Sequence, residues 1–329
     1  MEAAREQAVR PMARKIVCLH KLSDDSIRRI REAAPEWELV CNADKETLKA
    51  QLPYAEIIAG WNEQALELVT REETPLRWVQ CWGAGVDQMP LETFARKEIL
   101  LTNASGVHAF PVSESVLAMM LAFARRLHVT LRNQANGKWK SPGSLREIHG
   151  KTAAVIGLGA IGEETARLAK AFGMNVLGVR RSGGESPYVD RMYDIGRLME
   201  VLGQSDYVIV TLPLTNETRH LFGQAQFRAM KPSAYFINIG RGGTTDTDAL
   251  ADALRNGDIA GAGLDVFEQE PLPAASPLWE MENVIVTPHI SGLTINYEER
   301  VMDIFMSNLQ DYLVGKTASV NVVDFRKQY

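Results

Sequence analysis

One junction restricts this chain more than any other stretch: a short apolar run, Lys151-Thr152-Ala153-Ala154-Val155-Ile156, that meets Gly157-Leu158-Gly159-Ala160-Ile161-Gly162. The run has β character, and the six residues after it fit G-x-G-x-x-G. From Glu163 to Phe172 the pattern turns helical, with Leu168, Ala169 and Phe172 on one face and Glu163, Glu164, Arg167 and Lys170 on the other. Gly173 ends that helix, and Asn175 to Val179 reads as a second strand. Strand, glycine turn, helix and strand together make one right-handed βαβ unit. The glycines have separate tasks. Gly157 permits the tight turn, Gly159 lets the backbone approach a pyrophosphate, and Gly162 lets helix and strand pack closely. The helix start, with Ala160 and Ile161, then offers unpaired N–H groups and a positive dipole end to phosphate. A glycine turn alone is weak evidence; within this frame it predicts dinucleotide binding.

The end of the second strand bears on which dinucleotide. An acid about 20 residues past the glycines normally binds the ribose 2′-hydroxyl. Here Arg180, Arg181 and Ser182 hold the place. Two guanidiniums and a hydroxyl suit a 2′-phosphate through charge-assisted hydrogen bonds, so NADP(H) is the expected cofactor, with NAD(H) possible.

At 329 residues the chain is long enough for two domains with buried cores. A net charge of −5 argues against a nucleic-acid or anionic-membrane surface, and no apolar run has the length of a membrane span. The three cysteines, Cys18, Cys41 and Cys81, lack metal-ligand spacing and read as reduced thiols of a cytoplasmic protein. No metal site is expected.

Residues 1–14 are polar and alanine-rich and read as an extension. Strand-like runs then follow at Lys15–Leu19, Glu38–Val40, Ile57–Ala59, Arg77–Gln80 and Ile99–Thr102, with helical stretches at Asp24–Ala33 and around Thr47. Ser23 can cap the first of these helices. The alternation predicts a small parallel-sheet domain. Two loops fall at its strand ends, Gly60-Trp61-Asn62 and Trp82-Gly83-Ala84-Gly85, and the second can present bare N–H groups to an anion. Trp61 and Trp82 suggest tolerance for apolar substrate side chains.

From Pro111, the apolar residues Val112, Val116, Met119, Met120, Phe123, Leu127 and Leu131 recur at helical spacing over more than five turns. One long helix is expected, bridging to the second domain and contributing to a dimer contact. Beyond the glycine unit, the strand Tyr207–Leu212 stops at Pro213, and a helical stretch is expected from Thr215. Three further strands end in loaded turns. Ala234–Ile239 leads to Arg241, Gly261–Leu264 leads to Asp265 and Glu270, and Val284–Thr287 leads to His289. Asn296 to Leu313 reads as a last helix. In a parallel sheet, strand ends of one sense face one crevice, so Arg241, Glu270 and His289 are expected to converge. Together they supply a carboxylate anchor, a proton donor and a partner for the donor.

These residues sit in runs that resemble the D-isomer-specific 2-hydroxyacid dehydrogenases. The similarity lies in Gly157–Gly162, Asn238–Gly243, Leu264–Pro271 and Thr287–Ile290. It extends to Gly83–Asp87, Pro213–Thr215 and the long helix after Ser105-Gly106-Val107. The resemblance covers nearly the whole chain past residue 15, and departs from the family chiefly where Arg180 and Arg181 replace the acid. It implies an α/β protein of two domains, a Rossmann dinucleotide-binding domain (107–289) inserted into a flavodoxin-like substrate domain (1–106 and 290–329). The active site would lie in the cleft between them, closing to exclude water. It also implies roles. Arg241 would grip the substrate carboxylate, His289 would protonate the carbonyl oxygen, and Glu270 would orient His289. The backbone at Ala84 and Gly85 would bind the carboxylate. Asp265 and Ile239 would meet the nicotinamide end, with Leu212, Pro213, Thr218 and Ser291 among the other cofactor contacts.

The expected activity is therefore hydride transfer from NADPH to a small 2-oxo acid, giving the D-2-hydroxy acid, in the manner of glyoxylate/hydroxypyruvate reductases, by a homodimer. An NAD-dependent D-3-phosphoglycerate or D-lactate-type dehydrogenase is the alternative, although neither substrate loop carries Lys or Arg. A non-enzymatic, dinucleotide-responsive scaffold, as in the C-terminal-binding-protein corepressors, is a second alternative.

Overall fold

The computed structural model describes residues 14–86, 88–181 and 184–327. The expected amino-terminal extension (save Arg14), Asp87 of the glycine loop and Ser182 lie outside the described residues. The chain divides into two compact units, Met1–Val107 with Ile295–Tyr329, and His108–Thr294.

The first unit alternates β1 (Lys15–Cys18), α1 (Asp24–Ala33), β2 (Glu38–Val40), α2 (Lys45–Gln51), β3 (Ile57–Ala59), α3 (Glu63–Thr70), β4 (Trp78–Gln80), α4 (Leu91–Arg96) and β5 (Leu100–Thr102). All five strands are parallel, in the order β2-β1-β3-β4-β5. This is the flavodoxin-like winding, in which the order reverses beside β1. Strands β1, β3 and β4 are buried along their whole length, as expected of a parallel sheet covered on both faces. Ser23 caps α1 by accepting the Ser26 N–H.

The second unit opens with α5 (Ala109–Ala124) and α6 (Leu127–Ala135). The single long helix expected from Pro111 is therefore two. Arg126 takes a left-handed conformation (φ 51°) and breaks the hydrogen-bond ladder between them. Leu127 and Leu131, expected to continue the apolar stripe, are exposed on α6. The stripe of α5 is real: the helix packs within this unit against the glycine-motif helix, and its Val116, Met120 and Phe123 join the buried core.

After α6 come β6 (Thr152–Ile156), α7 (Ala160–Ala171), β7 (Asn175–Val179), β8 (Arg191–Tyr193), α8 (Leu198–Gln204) and β9 (Tyr207–Val210). They are followed by α9 (Gln224–Ala229), β10 (Tyr235–Asn238), α10 (Thr247–Asn256), β11 (Gly261–Leu264) and β12 (Val284–Val286). Seven parallel strands run β12-β11-β10-β9-β6-β7-β8. Read in this unit's own order, that is the doubly wound Rossmann arrangement with one added strand, and its switch point lies between β6 and β9. The helix expected from Thr215 is absent. Residues 216–220 form turns, fixed where the Thr218 hydroxyl donates to the Pro213 carbonyl (2.7 Å) and accepts the Thr215 N–H (2.8 Å). Strand β9 ends at Val210, and the Thr211 hydroxyl after it donates to the Gly157 carbonyl.

The last helix, α11 (Tyr297–Leu313), belongs to the first unit. Phe305 stacks on Trp78 with ring centroids 5.2 Å apart, and Val301, Met302 and Leu309 join the same core. Glu298 accepts hydrogen bonds from the Ser23 N–H and the Ser26 hydroxyl, both at 2.7 Å, and so ties α11 to the start of α1.

Candidate active site

The dinucleotide motif has the geometry its glycines require. Gly157 sits at φ 103°, where a side chain would be strained. A Cβ on Gly162 would overlap the Gly157 carbonyl, so only glycine lets α7 approach β6 this closely. Around Gly159, by contrast, there is open space, a cradle that a side chain would begin to fill. Gly159 is also the N-cap of α7 and gives no side-chain cap, which leaves the first-turn N–H groups at Ala160 and Ile161 for an anion. The turn is fastened across the switch point. Thr211 Oγ1 donates to the Gly157 carbonyl, Thr211 N–H donates to the Ile156 carbonyl (3.0 Å), and Leu212 lies against both Gly157 and Gly240. The residues present fit a bound dinucleotide.

Arg180 and Arg181 follow β7 as expected, and each faces an acid. Arg180 lies 3.8 Å from Glu163, and Arg181 pairs with Glu217 at 2.8 Å. Both guanidiniums are partly exposed.

The chemical residues stand at the carboxyl ends of three adjacent strands. Arg241 follows β10, Glu270 follows β11 and His289 follows β12, and the paired register of these strands puts the three turns side by side. His289 Nδ1 lies 2.7 Å from Glu270 Oε2. The other oxygen of that carboxylate, Oε1, accepts the Phe267 N–H at 2.9 Å. His289 itself has φ 53°, and its side chain is about half exposed (51%), leaving Nε2 for a substrate. Asp265 shapes this turn. It is buried, and its carboxylate accepts from the Thr287 hydroxyl (2.6 Å) and from the Ile290 and Ser291 N–H groups (3.0 Å each). Its carbonyl takes the His289 N–H at 2.9 Å. Asp265 thus holds the backbone on both sides of the histidine in its left-handed conformation.

Arg241 is placed by Asn238. The buried Asn238 amide donates to the Arg241 carbonyl (3.2 Å) and to the Thr244 and Thr245 hydroxyls, while its oxygen accepts the Gly240 N–H. Ile239, between them, is buried. A Cβ on Gly242 would fall into the Phe267–Glu268 backbone, so the arginine turn rests directly on the acid loop.

A second histidine–carboxylate pair lies in the same loops and has no obvious mark in the sequence. His220 Nε2 is 2.6 Å from Glu268 Oε1, and Glu268 Oε2 accepts the Thr247 N–H at 2.8 Å. Burial pushes the Glu268 carboxyl up, but the bonds from Thr247 and His220 outweigh it and hold the group below the usual carboxylate range. The pair links the Pro213–Phe222 segment to the loop that carries Glu270.

In the first unit, the loop expected to bind an anion keeps its donors available. The N–H groups of Ala84 and Gly85 make no hydrogen bond among the described residues, while the Ala84 carbonyl accepts from Asn103 Nδ2 (2.9 Å). Trp82 does not serve as an apolar substrate wall. It is 6% exposed in the core with Phe305, stacks on His20, and Tyr297 donates to its carbonyl. Trp61 likewise packs on Phe94. Among the described residues no group of three His, Cys, Asp or Glu side chains could hold a metal, and no helix is long and apolar enough to cross a membrane.

A Rossmann unit whose strand ends carry a guanidinium and a carboxylate-held imidazole defines a dinucleotide-dependent oxidoreductase. The sequence model described as "D-isomer specific 2-hydroxyacid dehydrogenase, NAD binding domain" matches residues 117–291. The chain belongs to the D-isomer specific 2-hydroxyacid dehydrogenase family, and is a 2-oxo acid reductase of that family. It is 36% identical over 316 residues to glyoxylate/hydroxypyruvate reductase B of Salmonella schwarzengrund, covering 93% of this chain and 96% of that one. Among solved structures it is similar to a D-isomer specific 2-hydroxyacid dehydrogenase family protein from Aeromonas salmonicida (TM-score 0.82, 34% identity, 95% of this chain and 99% of that one). It is also similar to the NADPH-dependent glyoxylate/hydroxypyruvate reductase of Sinorhizobium meliloti, solved with NADP and sulfate (TM-score 0.81, 29% identity, 96% and 100% covered).

Proposed function

We propose that this protein reduces glyoxylate, hydroxypyruvate or a similarly small 2-oxo acid to the D-2-hydroxy acid, with NADPH preferred over NADH. The observation that carries the chemistry is the His289–Glu270 pair at the end of β12, one strand from the acid loop on which the Arg241 turn rests. The bound nicotinamide supplies the hydride that reaches the carbonyl carbon. Arg241 holds the substrate carboxylate with its two-pronged cation. The Ala84 and Gly85 N–H groups of the first unit are likewise proposed as donors to a carboxylate. His289 gives a proton from Nε2 to the carbonyl oxygen, and Glu270 accepts at Nδ1 so that Nε2 points to the substrate. Gly157, Gly159, Ala160, Ile161 and Gly162 are proposed to carry the pyrophosphate. Leu212, Pro213, Thr218, Ile239, Asp265 and Ser291 line the rest of the cofactor path. Arg180 and Arg181, with Ser182, take the 2′-phosphate, and the absence of an acid at the end of β7 supports that preference. Two relatives' names, the Salmonella and Sinorhizobium reductases, support the substrate class.

A homodimer is the proposed assembly. The nine-residue helix α6 buries none of its side chains, with Leu131 exposed on it (62%) and Trp139 fully exposed just after it, an apolar face suited to a second copy. Three free cysteines support a cytoplasmic setting. The test is oxidation of NADPH and of NADH against a panel of 2-oxo acids. Turnover of glyoxylate and hydroxypyruvate, faster with NADPH, is expected. Tight dinucleotide binding without turnover of any acid would instead support the scaffold.

A further inference from the structure

A cavity of about 520 Å³ opens at the end of the second unit's sheet opposite His289. Its walls are the amino ends of β6, β9 and β10, represented by Lys151, Tyr207 and Tyr235, together with the 146–149 segment. Nothing in the reaction uses this end.

The groups that face the cavity are mostly donors. Arg146, His149 and Lys151 come from one stretch of chain, and the Lys151 ammonium and the His149 ring make no hydrogen bond or ion pair among the described residues. The Arg146 guanidinium has only a long bond to the Ser233 carbonyl, at 3.4 Å. Two acids are present, Asp206 and Glu147. Asp206 is already engaged by Lys231 (3.0 Å) and by the Thr152 N–H (2.9 Å), which leaves Glu147 against Arg146 and Lys151. The local balance is positive.

Tyr207 adds an independent observation. It is 97% buried by residue area (3% exposed), it lines the cavity, and its hydroxyl has no hydrogen-bond partner among the described residues. Its ring is locked by stacking on Tyr235 (5.5 Å), which in turn stacks on Phe123 (4.6 Å). Burial pushes the hydroxyl's pKa up, so it stays protonated and able to donate.

From this arrangement we infer that the cavity is a second anion site, built for the phosphate group of a small phosphorylated molecule. A guanidinium, an ammonium, an imidazole and two phenol hydroxyls offer more donors than the two oxygens of a carboxylate can use. The three terminal oxygens of a phosphate can engage them. The volume exceeds that of phosphate alone and leaves room for a short carbon skeleton.

Inorganic phosphate is the probe. Calorimetric titration into the full-length protein saturated with NADPH, at constant ionic strength, should show one site per chain. That site should survive Arg241→Gln, which removes the anion grip at the catalytic end. It should weaken about tenfold or more in Arg146→Gln/Lys151→Gln, and about threefold to tenfold in Tyr207→Phe, which removes a single hydroxyl from an otherwise unchanged core. Acetate at the same ionic strength should bind far more weakly. The inference is overturned if the wild type takes up no phosphate at millimolar concentrations, or if acetate binds as well. It also fails if binding is lost in Arg241→Gln yet unaffected by the Arg146, Lys151 and Tyr207 substitutions.

Discussion

Glu270 divides its carboxylate between two donors, the ring of His289 at 2.7 Å and the backbone N–H of Phe267 at 2.9 Å. The second bond pins the acid, and the pinned acid fixes which way the imidazole faces. His289→Gln should therefore cut kcat by about 10²-fold or more while leaving the dissociation constant for NADPH unchanged. Glu270→Gln should lower kcat less, by about tenfold. Steady-state kinetics beside a fluorescence titration of the cofactor separates the two quantities. Near-normal turnover in His289→Gln would put the proton donor elsewhere, with His108 the next residue to test.

Cofactor choice is expected to follow the charges after β7. Arg180→Asp with Arg181→Ala should weaken NADPH much more than NADH. The acids that face these arginines have the opposite effect, so Glu217→Gln should strengthen NADPH selectively. Equal changes for both cofactors would remove the 2′-phosphate argument.

Gly242 tests how closely the arginine turn rests on the acid loop. Gly242→Ala forces a methyl group into the Phe267–Glu268 backbone, and should destabilise the fold by about 1–3 kcal/mol and depress kcat together. A thermal melt indistinguishable from wild type would contradict the packing described.

Acid stability should have a contribution from Asp190. The Lys170 ammonium and the Val176 N–H hold its carboxyl below the usual range. A depressed folded value means stability that is fully present above the unfolded pKa, about 3.9, and lost as pH falls through the folded value. Urea unfolding between pH 6 and acid should show Asp190→Asn less stable than wild type at the upper end, with the difference closing on acidification. A constant difference would exclude the linkage.

The exposed face of α6 predicts the assembly. Leu131→Glu with Trp139→Glu should convert a dimer to a monomer in sedimentation velocity, with far-ultraviolet circular dichroism unchanged. A wild-type protein that sediments as a monomer would end the proposal.

Much of the site was legible because its residues mark themselves. The glycine run from Gly157 needs a strand before it and a helix after it, and Arg241, Glu270 and His289 each close an apolar run. What periodicity could not reveal were backbone decisions made by single residues. Arg126 stops a helix whose apolar spacing continues to Leu131, because a left-handed residue breaks the ladder whatever the pattern says. Thr218 turns a helix-like stretch into turns by bonding its hydroxyl to local backbone. Trp82, read as a substrate contact from its loop position, is held in the core by neighbours from α11, more than 200 residues away in sequence. The His220–Glu268 pair joins two segments whose proximity only the folded sheet creates.

The first unit's core depends on a helix translated last. Trp78 receives Phe305, and β5 receives Val323 through the Leu101 carbonyl, only after the entire Rossmann segment has left the ribosome. During synthesis, then, the early strands wait with an uncovered apolar face while the later-made unit can already complete its own sheet. A truncation within α11 would strike the first unit hardest.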